Sequence, residues 1–150
     1  LVDGTGVNSF ATLGNETRAP GEATIYMSAL GGGNGKASGY GAIVISTTGE
    51  AEATGAYSMN LSKDGTAGGN STTIIGGYGN SNYNSLGTIV GALEGTISSP
   101  GSGNVIFGGA GNTISNGYNC VILGGAGNRH YGNSNLHISS LGFTTPQMSY

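Results

Sequence analysis

The stretch Gly117-Tyr-Asn-Cys-Val-Ile-Leu-Gly124 is one of the clearest copies of a phrase that decides the fold of this chain. The phrase consists of a glycine, two variable residues, a small residue, an apolar triplet and then serine, glycine or alanine. Further clear copies begin at Gly39, Gly55 and Gly101, and successive copies are spaced 14 to 18 residues apart. We also assign a copy that begins at Ser85 and a degraded copy that begins at Asn133. A period of this length predicts one structural unit that is stacked on itself.

The composition favours strands and turns over helices. Glycine supplies 32 of the 150 residues, and no window of the sequence has an amphipathic helical pattern. Glycine inside a helix costs about 1 kcal/mol per residue relative to alanine. The formal net charge is −3 and there is no basic stripe, which argues against nucleic-acid binding. No apolar run approaches the roughly 20 residues that span a bilayer. The lack of an initiator methionine suggests an internal or processed piece of a longer chain.

The apolar triplet predicts which side chains face the interior of the stacked coils. In a strand, the fifth and seventh positions of the phrase share one face and the sixth points the other way. We assign the fifth and seventh positions to the interior, because both are largely apolar. The sixth position is also mostly apolar, and a strand that is apolar on both faces is buried on both. We therefore predict that sister chains cover the sixth position in a homotrimer, with these residues on its axis: Val44, Ile74, Val90, Ile106, Ile122 and Ile138.

Glycine-rich turns follow the triplets. Gly108-Gly-Ala-Gly-Asn112 and Gly124-Gly-Ala-Gly-Asn128 hold the same place in successive copies. Glycine and asparagine tolerate positive φ and can turn the chain sharply in every coil. The predicted fold is an all-β parallel β-solenoid of about nine coils. Residues 1–140 would form the repeat domain, and residues 141–150 a C-terminal cap or tip.

Two segments carry a resemblance to a known family. Ala37-Ser-Gly-Tyr-Gly-Ala-Ile-Val-Ile-Ser46 and Ala53-Thr-Gly-Ala-Tyr-Ser-Met-Asn-Leu-Ser62 resemble the head repeats of trimeric autotransporter adhesins of the YadA type. The Gly-Gly-x-Gly-Asn turns look more like a variant found in bacteriophage tail fibres and other viral fibres. The resemblance covers nearly the whole chain and implies a left-handed β-roll that forms an intertwined trimer and attaches a particle or a cell to a surface.

The function that follows from this resemblance is attachment. We expect a virion fibre or spike that binds a host-cell surface glycan or an outer-membrane component through several weak contacts at once. The repeat decays near the C-terminus, which predicts either a simple cap or a tip with these receptor-contact residues: Arg129, His130, Tyr131, His137, Phe143 and Tyr150. The alternatives are a bacterial cell-surface adhesin head, a polysaccharide-depolymerising tailspike and a structural spacer without a ligand.

The sequence predicts no catalytic residue, no cofactor and no metal site. Glu50 and Glu52 lie two residues apart and are more typical of a solvated face than of a catalytic carboxylate pair. Cys120 stands where other copies have a small residue, which indicates packing. His130 and His137 have no carboxylate or thiol nearby in sequence, so they support a metal ion only weakly.

Overall fold

The computed structural model describes residues 2–3, 10–11, 16–18, 22–28, 34–46, 50–98, 100–138, 141–142 and 144. Its secondary structure consists of strands and their connecting turns, which confirms the predicted all-β class. Among the described residues, no helix is long and apolar enough to cross a membrane.

The described residues form two parallel sheets of nine strands each, and consecutive strands alternate between the sheets. Sheet A contains β1 (Val2–Asp3), β3 (Glu16–Arg18), β5 (Asn34–Ala37), β7 (Glu52–Ala53), β9 (Thr66–Ala67), β11 (Ser81–Asn82), β13 (Thr96–Ser98), β15 (Thr113–Ser115) and β17 (Arg129–Tyr131). Sheet B contains β2 (Phe10–Ala11), β4 (Ile25–Ser28), β6 (Ile43–Ser46), β8 (Met59–Lys63), β10 (Thr73–Tyr78), β12 (Thr88–Val90), β14 (Val105–Phe107), β16 (Val121–Leu123) and β18 (Leu136–Ile138). Each strand pairs in parallel with the strand two places earlier, so the chain winds as the predicted β-solenoid.

The register between coils is regular and corrects two of the predicted repeat boundaries. Ile106 pairs with Ile122, and the same register pairs Ile122 with His137. Ile89, rather than Val90, pairs with Ile74. The copies assigned to begin at Ser85 and Asn133 therefore begin one residue earlier. A shift of one residue turns every side chain of a strand to the opposite face.

The solenoid interior is narrow and takes the middle side chain of each triplet. On the sheet B side the fully buried middle residues are Tyr26, Val44, Asn60, Ile74, Ile89, Ile106 and Ile122. On the sheet A side the buried residues are Ala37, Ala53, Ala67, Asn82, Ile97, Ile114 and His130. Large and small residues complement each other, since a Cβ atom on Gly35 would overlap the Tyr26 ring. These two columns form the core.

The corner that leads into sheet B holds one residue with positive φ in each coil whose corner the structure describes. Tyr57, Ser71, Leu86 and Asn119 occupy it with φ between 53° and 56°. Each corner is bonded to the coil before it; for example, the Asn119 amide donates to the Ser102 carbonyl oxygen at 2.9 Å. These backbone bonds hold the corners of successive coils one above another.

The opposite corner explains the Gly-Gly-x-Gly-Asn turns. Asn112 is fully buried, its Oδ1 accepts a hydrogen bond from the Asn128 amide at 3.0 Å, and its Nδ2 donates to the Gly125 carbonyl oxygen at 3.1 Å. Asn80 makes the equivalent contacts with Gly95 and Ala92. The asparagine side chain thus satisfies buried backbone groups that the sharp corner removes from the sheet ladder.

Candidate self-association face and C-terminal end

The outward side of sheet B carries two apolar columns that run along the solenoid. The first column consists of Ile25, Ile43, Met59, Thr73, Thr88, Val105, Val121 and Leu136. The second consists of Met27, Ile45, Leu61, Ile75, Val90, Phe107, Leu123 and Ile138. We call these two columns the outer face of sheet B. Neither contains a charged residue, and Phe107 is 57% exposed.

This arrangement reverses the predicted orientation of the triplet. Val44, Ile74, Ile106 and Ile122 are fully buried inside their own chain, so the prediction that they pack on a trimer axis is wrong. Predicted axis residues Val90 and Ile138 do point outward, but only because the corrected register places them in the second column of the outer face. The predicted inward orientation of the fifth and seventh positions is likewise wrong.

The width of the interior is the physical reason for the reversal. Residues two before and two after the middle residue share its face, and these positions hold small side chains. Ser58 and Ser62, for example, are buried on either side of Asn60. A coil lined by such small residues has no room for two large side chains per strand, so the fifth and seventh positions face outward.

The apolar surface continues around the corner that follows sheet B. Parallel bridges join Tyr78, Leu93, Ala110, Ala126 and Leu141 into one ladder. Tyr78 and Leu93 are exposed, and Leu141 is 85% exposed. Exposed apolar surface that extends over many coils is uncommon on a monomer and marks an interaction surface.

The outer face of sheet A has the opposite character. Thr66, Ser81, Thr96 and Thr113 follow one another in register along it, and the Ser98 hydroxyl donates to the Ser115 Oγ at 3.1 Å. The ring of exposed Tyr83 lies over Gly68, where a Cβ atom would crowd it. One side of the solenoid is therefore suited to water and polar ligands, and the other to an apolar partner.

The predicted receptor-contact residues do not share one surface. Arg129 is exposed and Tyr131 is half-buried. His130, between them, is turned inward by the alternation of the strand and is only 1% exposed, so the prediction that it contacts a receptor is wrong. His137 continues the interior column above Ile122 and is half-buried. Phe143 and Tyr150 lie outside the described residues.

His130 and His137 form an edge-to-face pair in the interior. Their ring centroids are 5.1 Å apart and the ring planes are inclined by 77°. Both ring nitrogens of His130 are buried without a hydrogen-bond partner among the described residues. Desolvation, with a smaller contribution from His137, lowers the pKa of His130 below the ordinary value of 6.5. A buried polar group without a partner costs about 1–3 kcal/mol of folding stability, so the His130 ring destabilises the fold.

Two other polar features give weaker evidence of a functional site. Glu50, Glu52, Asp64 and Thr66 line an open depression, where Asp64 accepts a hydrogen bond from the Glu50 amide. Cys120 is buried, with its sulfur 3.0 Å from the Gly132 carbonyl oxygen, as expected of a packed residue. Within the described ranges, no three His, Cys, Asp or Glu side chains are grouped so that they could hold a metal ion.

Comparison with known proteins adds no assignment, since no protein-family model and no curated protein matches this chain. The parts of the molecule that bear on its function are the outer face of sheet B, the outer face of sheet A and the C-terminal end.

Proposed function

We propose that this chain is an attachment fibre or spike domain of a virion, such as a bacteriophage tail fibre, and that it works as an intertwined homotrimer of left-handed β-rolls with about nine coils each. The observation that carries the proposal is the uncharged, apolar outer face of sheet B. A parallel sheet is normally covered on both faces, and the solenoid interior covers only one of them. A second and a third copy of the same chain would cover the other.

Copies of this chain suit that role because their ladders match. Coils of every copy repeat at the strand spacing of about 4.8 Å. Phe107 and Leu123 of one chain can therefore interleave with the equivalent columns of its sisters over several coils. Three chains around one axis bury all three outer faces of sheet B and leave the hydroxyl-rich faces of sheet A outside.

The proposed mechanism is multivalent binding. A stiff trimer presents three identical copies of each outward contact, which raises avidity without a strong single site. The proposed ligand is a host-cell surface glycan or an outer-membrane component. Arg129 and Tyr131 are the described candidates for contact with it, and the predicted tip residues Phe143 and Tyr150 extend this set.

Binding of labelled protein to an array of bacterial surface glycans, and to outer-membrane preparations, tests this function. We expect binding that the double substitution Arg129→Ala with Tyr131→Ala weakens by at least tenfold, while Ser81→Ala, elsewhere on the outer face of sheet A, leaves it unchanged. Absence of binding to every glycan and membrane preparation would contradict the attachment role and favour a structural spacer.

Two alternatives have specific support. The segments 37–46 and 53–62 favour an adhesin head on a bacterial cell surface. A heptad stalk and a membrane anchor in the same polypeptide would support the adhesin head over the virion fibre. The depression lined by Glu50, Glu52 and Asp64 is the acidic cluster that a polysaccharide depolymerase would use. Cleavage of purified capsule that is abolished by Glu50→Gln would establish that second activity.

A further inference from the structure

We propose that His130 and His137 form an intrachain binding site for a zinc-like divalent transition-metal ion at the C-terminal end of the described solenoid interior. This site is independent of the attachment function and of the trimer, because both ligands belong to one chain.

The separation of the two rings is the first argument. A zinc ion binds a histidine nitrogen at about 2.0–2.1 Å and prefers tetrahedral angles. With a ring nitrogen about 1.2 Å from its centroid, two imidazoles on one tetrahedral ion have centroids about 5 Å apart. The observed centroid separation of 5.1 Å agrees with this value. The separation of the two rings is therefore the one that a shared ion requires.

The unsatisfied nitrogens of His130 are the second argument. The side chain is 1% exposed, and neither Nδ1 nor Nε2 has a hydrogen-bond partner among the described residues. Buried polar groups in native proteins nearly always have a partner, and those that lack one call for an explanation such as an unseen ion. A metal ion bound by one of these nitrogens supplies that partner.

The columns that contain the histidines provide the third argument. Ile97 and Ile114 precede His130 along sheet A, and Ile106 and Ile122 precede His137 along sheet B. Isoleucine therefore fills both columns in the two coils directly before the histidines, where it brings no polar group into the interior. The chain departs from isoleucine in both columns at the same level, so that two imidazoles face each other.

The side chains available near the two histidines favour one class of metal ion. Imidazole ligands suit zinc, copper and nickel, whereas calcium and magnesium require oxygen ligands. The sequence has no Asp or Glu after Glu94, and the Cys120 thiol is directed at the Gly132 carbonyl oxygen. The ion would therefore have two protein ligands, and water, which reaches it past half-buried His137, would complete a tetrahedral set.

Neutral imidazole is the form that binds metal. No carboxylate lies against the histidine pair on the described strands around it. The outward residues beside His130 on its own strand are Arg129 and Tyr131. The outward residues of the neighbouring strands β15 and β16 are Thr113, Ser115, Val121 and Leu123. The lowered pKa of His130 is consistent with a ring that is neutral and available at neutral pH.

Titration of the metal-free protein with Zn²⁺, followed by calorimetry and thermal unfolding, tests the site. We expect one Zn²⁺ per chain and a Tm that rises by roughly 5–11 °C at about a hundredfold excess over Kd. Co²⁺ in place of Zn²⁺ should give the visible absorption of a tetrahedral complex. The variant His130→Ile with His137→Ile continues the isoleucine columns and should fold without responding to either ion, while the control Arg129→Gln should respond as the parent does.

The outcomes are decisive in both directions. Loss of the Zn²⁺ effect in the double isoleucine variant, with the far-ultraviolet spectrum unchanged, supports the site. If the parent protein does not bind Zn²⁺, or if the double variant binds it equally well, the proposal is wrong. If the double variant fails to fold, the single variant His137→Ile, which changes the half-exposed ring, is titrated with Zn²⁺ in its place. Loss of the Zn²⁺ effect on Tm then supports the site, and an unchanged effect shows that the proposal is wrong.

Discussion

At the scale of single residues, neighbours in the triplet have opposite roles. Ile106 is fully buried, whereas Phe107 beside it is 57% exposed. We predict that Ile106→Asp lowers the free energy of unfolding by at least about 3–5 kcal/mol, because it buries an unpaired charge. Phe107→Asp should leave the fold of the single chain intact. Circular dichroism during chemical denaturation checks both variants, and equal loss of structure in the two would contradict the assigned strand faces.

The stability of the folded chain is also predicted to depend on pH, through His130. The pKa of His130 is lowered in the folded chain by burial and by neighbouring His137, so the unfolded chain binds more protons in the range between the two pKa values. Stability is therefore complete above about pH 6.5 and falls as the pH decreases through that range.

Melting of the metal-free protein at a series of pH values measures this effect. We expect Tm to decrease below pH 6.5 in the parent and to do so much less in the His130→Ile, His137→Ile variant. The acidic residues all lie at or before Glu94 and are the same in both proteins, so their contribution cancels in the comparison. A parallel pH dependence in the two would show that the histidine pair is not its source.

At the scale of elements, the repeat period was sufficient to predict the parallel solenoid, but not which face of the strand is inside. Because side chains alternate along a strand, Ile74 and Ile75 point to opposite faces of sheet B. Both are apolar, so polarity alone could not show which of them faces the interior. The deciding signal was the small residues at the fourth and eighth positions, such as Ser58 and Ser62, which share the face of the middle residue.

The orientation of the outer face of sheet B and the pairing of the two histidines were only partly predictable for related reasons. The register errors at Ser85 and Asn133 arose because a constant spacing of 16 residues was assumed, whereas Ile74 pairs with Ile89 and Ile122 with His137, 15 residues further along the chain. The C-terminal decay of the repeat drew attention to His130 and His137, and the alternation of a strand could have placed His130 inward between Arg129 and Tyr131. Their contact depends on how the two sheets face each other, which no local pattern contains.

The close stacking of coils gives an element-scale prediction. A Cβ atom on Gly55 would collide with the carbonyl group of Gly69 in the next coil, whereas one on Gly108, where φ is +71°, would meet open space. We expect Gly55→Ala to force the coils apart and to cost at least about 3 kcal/mol of folding stability. Gly108→Ala should cost only about 1 kcal/mol, from backbone strain.

Denaturant titration of the two glycine variants compares these costs directly. The result that would contradict this picture of stacking is a Gly55→Ala protein as stable as the parent. A greater loss in Gly108→Ala than in Gly55→Ala would equally contradict it, since it would place the tighter contact at the corner.

At the scale of the whole molecule, the two sides of the solenoid differ in kind. The outer face of sheet A presents hydroxyl groups such as those of Thr96 and Thr113, and the outer face of sheet B presents Phe107 and Leu123. This difference links the fold to the proposed function, in which the apolar side assembles the fibre and the polar side stays free for a ligand.

The most direct measurement of this account is the mass of the protein in solution by light scattering, for the parent and for two variants of the same coil. We predict three times the chain mass for the parent and for Thr113→Asp, which changes the outer face of sheet A. Phe107→Asp, on the outer face of sheet B, should give the mass of a single folded chain. A parent protein that has the mass of one chain at every concentration would contradict the account.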